Sequence, residues 1–251
     1  MNAVYHIAVN TLKESIRNKV LYNILFLAIG IILFSISLGD WSVFARAQVM
    51  QDFGLAAMSV TGLLMSVFIG AGMRGREITD RTVYGIVTKP VARRAFVIGK
   101  YIGLLAVLLI NFLIISACLV TAVLALGGAP QAPLAHAIGL IWIEMALIVA
   151  VSFMCSCFTT PVLSAIFTTA FYAAGHLNDL LTVESYAKPN MAILRVIYYL
   201  LPNLEHFNVR AAAIYGTGLP GGYMAWACVY GVCYIALALV FSCILFGRKD
   251  L

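Results

Sequence analysis

The stretch AIGLIWIEMALIVAVSFMCSCFTTPVLSAIFTTAFYAAG, residues 137–175, holds one acidic side chain, Glu144, and no basic one. A helix rises ~1.5 Å per residue, so ~20 apolar residues already cross the ~30 Å of bilayer hydrocarbon. This stretch is too long for one crossing. It is interrupted once, at Thr159-Thr160-Pro161, and therefore reads as two helices joined tightly into a hairpin.

Working outward, four more apolar segments lie at 20–38, 54–73, 96–126 and 222–246, beside the hairpin arms at 134–158 and 161–177. The chain of 251 residues is 63% hydrophobic and only 10% charged, with a mean hydropathy of +1.00. A soluble domain carries ~45–50% apolar residues, so the composition excludes that class. Lipid offers backbone amides no partner, and helices satisfy their own. The fold class expected is an all-α integral membrane protein with six transmembrane helices, residues 1–251 forming a single transmembrane domain. Neither an internal repeat nor a second domain is read.

Basic residues fix the expected orientation, because Lys and Arg concentrate on the cytoplasmic side. Twelve of the sixteen fall on one side: Lys13, Arg17, Lys19, Arg74, Arg76, Arg81, Lys89, Arg93, Arg94, Lys100, Arg248 and Lys249. Arg46, Lys188, Arg195 and Arg210 fall on the other. Both termini are then cytoplasmic, as an even number of crossings requires. The net charge of +6 follows from this clustering and calls for no nucleic acid. Glu14 and the lack of a small-residue cleavage site argue against a removable signal peptide. The six cysteines all lie in apolar spans, where disulfides are not expected.

On a helical wheel Val4, Tyr5, Ala8, Val9, Leu12 and Ile16 share one face, and Asn10, Lys13, Glu14, Arg17 and Asn18 lie opposite. Residues 1–18 thus read as an amphipathic interfacial helix. The external segment 178–221 includes 191–201, which is apolar but broken by Arg195 and ended by Pro202. Too short to cross, it reads as interfacial or re-entrant. Residues 74–94 form the one polar cytoplasmic loop of any size. Within it Glu77 and Arg81 stand four apart in helix-supporting order, Gly85 can end a helix, and Pro90 suits the start of the next.

No stretch matches G-x-x-x-x-G-K-[ST], so the sequence encodes no phosphate-cradling loop. The positive signal is Arg-Glu-Ile-Thr-Asp-Arg-Thr at 76–82, followed by Lys89-Pro90, Arg93-Arg94 and Gly99-Lys100. This pattern resembles the cytoplasmic loop between the second and third spans of ABC-2 type transporter permeases. The resemblance extends to the six-span layout and to Leu-Pro-Asn-Leu-Glu-His-Phe at 201–207. It implies a coupling helix that docks on a separate ATPase through Glu77, Arg81, Thr82, Val83 and Tyr84. It further implies two ATPase copies, a second permease copy forming a homo- or heterodimer, and the inner (cytoplasmic) membrane as location. ATP and Mg would sit on the partner ATPase, with no cofactor bound by this chain and no catalytic residue in it.

Other residues have plainer readings. Glu144 is the only acidic side chain well inside a span, a costly placement. It serves either a helix–helix hydrogen bond or a cavity-lining, proton-linked role. Cys155 and Cys157 stand two apart on a helix, ~200° around it, and read as packing rather than as a metal site. His176, Asp179, Glu184, Glu205 and His206 match no catalytic spacing and read as a solvated rim. Gly62, Gly70, Gly99 and Gly103 permit close helix packing. Two alternatives to a transporter subunit stand beside it: a non-transporting membrane scaffold, and a membrane-embedded enzyme acting on lipid.

Overall fold

The computed structural model describes residues 2–41, 46–79, 93–125, 132–177 and 201–247. The described chain is helical throughout. In order it forms α1 (Asn2–Ile16), α2 (Lys19–Trp41), α3 (Arg46–Thr79), α4 (Arg93–Ala125), α5 (Ala132–Ser156) and α6 (Pro161–His176). A single 3-10 turn, η1 (Leu204–Phe207), then precedes α7 (Arg210–Tyr215) and α8 (Tyr223–Gly247).

All six apolar segments read from the sequence are helical. Five of them, α2, α3, α4, α5 and α8, are long and apolar enough to cross a membrane. The sixth, α6, has 16 residues, or about 24 Å, and falls short of a bilayer's ~30 Å. The α5–α6 hairpin forms where Thr159-Thr160-Pro161 places it. The Thr159 amide and hydroxyl both donate to the Cys155 carbonyl, at 3.0 and 2.7 Å, closing α5. Pro161 then opens α6, where its missing N–H is no loss.

The hairpin sits at the centre, with α3, α4, α8, η1 and α7 packed against α5. Most of α5 is enclosed, whereas α2 and α8 leave large apolar side chains such as Phe26, Val229 and Phe241 uncovered. Small residues make the close contacts. A side chain on Gly62 would run into Met145 and Phe112, and one on Gly70 into Ser152. Between helices, Ser164 donates to the Ser152 carbonyl at 3.0 Å and Tyr101 to that of Ala146 at 3.1 Å. Other hydroxyls, Ser66, Thr168 and Ser242 among them, donate one turn back along their own helix. Among the described residues, the Trp142 indole N–H is the one buried side-chain polar atom left without a hydrogen-bond partner.

The leading helix packs on α4 through its small residues. Gly99 and Gly103 form a G-x-x-x-G seat on α4, touching Val4, Ile7, Ala8 and Thr11 of α1. Thr11 and Ser15 are buried, while Tyr5 and Ile16 point outward, 67% and 42% exposed. The small polar side thus faces protein, and part of the apolar face is left for the surroundings.

Candidate functional site

Glu144 lies twelve residues into α5 and is buried, its side chain 3% exposed. A carboxylate there needs a donor, because leaving it unpaired away from water costs several kcal/mol. The hairpin supplies it. Glu144 is sixteen residues before Thr160 and His176 sixteen after, so a tight turn brings both to one depth. His176 Nε2 stands 2.7 Å from Glu144 Oε1. Because α6 ends there, the other side of the ring is open to η1, and His176 Nδ1 stands 3.1 Å from Glu205 Oε2.

The segment 202–207 is held at this depth by its own contacts. Leu204 and Phe207 are fully buried, Leu204 against Gly175 and Phe207 against Gly231 of α8. Asn203 caps η1 by accepting from the Glu205 amide at 3.0 Å, and the Asn203 amide donates to the Tyr230 hydroxyl at 2.8 Å. Asn208 donates to the second Glu205 oxygen, Oε1, at 2.6 Å. Tyr223 donates to the His206 carbonyl at 2.8 Å, and the His206 ring meets Trp226 edge-on with centroids 4.9 Å apart. Around the chain, Tyr172 packs edge-on against His176 at 4.6 Å, and Arg210 on α7 acts electrostatically on Glu144 and Tyr172.

The donor inventory sets the protonation of this cluster. An ionised carboxylate only accepts, and an imidazole nitrogen donates only when it carries hydrogen. With carboxylate oxygens on both ring nitrogens, the Glu144–His176–Glu205 chain holds two protons. Either both are on the ring, or one is on the ring and one on a carboxyl. The chain then bears one negative charge.

Of the residues singled out in the sequence, Glu144, His176 and Glu205 come together, and His206 joins the aromatic group beside them. The reading of His176 and Glu205 as a solvated rim is corrected: His176 bonds the buried Glu144 and Glu205 bonds its ring, a union that depends on the hairpin register and the depth of η1. Cys155 and Cys157 are buried, the Cys157 thiol donating to the Phe153 carbonyl at 3.4 Å, and among the described residues no His, Cys, Asp or Glu group is arranged to hold a metal. Asp179, Glu184 and most of 191–201 lie outside the described residues. So do Arg81, Thr82, Val83 and Tyr84; Glu77 falls in the last turns of α3, and its side chain is outside the description.

Long apolar helices around a charge cluster satisfied from within define a multi-pass helical membrane protein. Residues 47–251 match the DUF2705 family, described as proteins of unknown function, and the chain belongs to that family. No curated protein matches the sequence.

Proposed function

We propose that the chain is the transmembrane permease subunit of an ABC-2 type transporter. It couples ATP hydrolysed on a separate subunit to substrate export or mechanical work across the membrane. In this reading α6 is the fifth of six crossings and both termini are cytoplasmic. Its shortfall in length is tolerable because irregular backbone at membrane depth is permitted where protein buries it, and Pro202, Asn203, Leu204 and Phe207 are so buried.

The observation that carries the reading is the length of α3. Its apolar part ends near Ala71, yet the helix runs on unbroken to Thr79 through Arg74, Arg76 and Glu77. A stiff charged extension leading into the segment that resembles a coupling loop is what transmission from a docked ATPase requires. Two ATPase copies and a second permease complete the assembly, with lipid around it.

The lipid-enzyme reading draws on the Glu144–His176–Glu205 chain as an acid–base group. It ranks third, behind a non-transporting membrane scaffold, because both ring nitrogens already face carboxylates, leaving none to take a proton from a substrate. Affinity purification of the chain from native membranes in mild detergent, with mass spectrometry beside an Arg81→Glu/Tyr84→Ala variant, tests the proposal. A stoichiometric P-loop ATPase held by the wild type and lost from the variant is expected. Retention of other membrane proteins with no ATPase would overturn it in favour of the scaffold reading.

A further inference from the structure

The described part of the external segment is tied to the bundle's hairpin by one polar contact that depends on a titratable proton. Glu144 belongs to α5, His176 to α6 and Glu205 to η1, so the ring bridges three elements. We propose that these side chains form a proton-controlled latch. It is closed while two protons are shared among them and opens between His176 and Glu205 when one is lost.

The order of events follows from unequal burial. After one proton leaves to bulk water, a neutral ring faces two carboxylates with a single N–H. Glu144 is enclosed, 3% exposed, and no water replaces a lost donor there. Glu205 is 37% exposed and keeps the Asn208 amide at 2.6 Å. Leaving the buried carboxylate without a donor is the costlier choice, so hydrogen stays on Nε2. Nδ1 then presents a lone pair to the Glu205 oxygen, and the two repel. The contact joining η1 to α6 becomes unfavourable, although Asn203, Phe207 and Tyr223 still hold the segment to α8.

The neighbouring charges and titratable groups fit this assignment. Tyr172 shares α6 with the ring, Arg210 on α7 lies towards Glu144, and His206 is next in η1. Arg46 and Asp52 lie in the first two turns of α3, and Tyr223 opens α8. The sign is fixed: the closed form holds one more proton than the open form, so rising pH opens the latch and falling pH closes it. None of this depends on an ATPase partner, so the latch and the permease reading stand or fall separately.

The test uses the full chain in lipid nanodiscs, with ¹⁵N-histidine spectra and amide hydrogen exchange of 201–209 recorded from about pH 5 to about pH 10, exchange being corrected for its intrinsic pH dependence. The chain has four histidines, so a His176→Gln sample assigns the signal. Nδ1 of His176 is expected to lose its proton while Nε2 keeps it, and exchange of the segment to rise about ten- to hundredfold in the same step. In Glu205→Gln the amide can donate to the bare nitrogen or accept from its N–H, so the latch is expected to stay closed at every pH. Glu205→Ala is expected to exchange fast at every pH. Loss of the Nε2 proton first, exchange independent of pH in the wild type, or an unchanged pH step in Glu205→Gln would each overturn the proposal.

Discussion

Replacing Gly103 by Ala should release α1 without weakening the helix that carries the mutation. An added Cβ at Gly103 would stand 2.7 Å from the Ala8 carbonyl oxygen and 2.7 Å from Thr11 Cβ. Both are parts of α1 that no rotamer change can move, and comfortable carbon contacts begin at ~3.5 Å. The helix must therefore back off by about 0.5–1 Å, which forfeits a quarter to a half of the dispersion at that seat. Overpacking of this kind costs ~1–3 kcal/mol. At ~1.4 kcal/mol per factor of ten, the undocked population of α1 rises about five- to hundredfold. A helix of 15 residues is marginal alone, so undocking and unravelling coincide. Ala also exceeds Gly in helix propensity by ~1 kcal/mol, so α4 itself gains. Hydrogen exchange by mass spectrometry in nanodiscs reads both effects. Peptides from Asn2–Ile16 should exchange faster, and peptides from the middle of α4 should not. Gly30→Ala, which meets nothing within 4 Å, serves as control. If α1 exchanges no faster in Gly103→Ala than in Gly30→Ala, the G-x-x-x-G seat does not hold it.

Two further predictions address the bundle and the segment packed into it. Gly70→Ala drives a methyl group into Ser152 and towards the Phe153 amide, 3.2 Å away, and should lower stability by ~1–3 kcal/mol. Thermal unfolding in detergent measures it, with partial recovery expected in Gly70→Ala/Ser152→Gly. Tyr230→Phe deprives the Asn203 amide of its 2.8 Å acceptor and should cost ~1–3 kcal/mol at the part-buried turn. Faster exchange confined to 202–208 is the expected signature, and exchange equal to wild type would count against the contact.

The helices were legible because apolar length is a strong signal: each segment read from hydropathy appears as a helix, and the hairpin turns where Pro161 stands. The inner face of α1 was not. The wheel gives α1 an apolar face for the membrane interface but does not show which side meets protein; the seat on α4 admits only small groups, so Thr11 and Ser15 take the inside. The charge cluster was half legible. A carboxylate within a span demands a donor, and counting sixteen residues either way from Thr160 already pairs Glu144 with His176. Glu205, 29 residues beyond His176, could not be placed, because its depth comes from Leu204 and Phe207 filling gaps at Gly175 and Gly231.

The 34 residues of α3 form a rod about 51 Å long, well over the thickness of the hydrocarbon it would pierce. Clamped near its middle by α5 at Gly62, such a rod behaves as a lever. A tilt of about 10° about that fulcrum carries each tip roughly 4 Å sideways, on rod length alone. Small rotations at the clamp become displacements as large as an atom's diameter at both ends, and the two ends move in opposite directions.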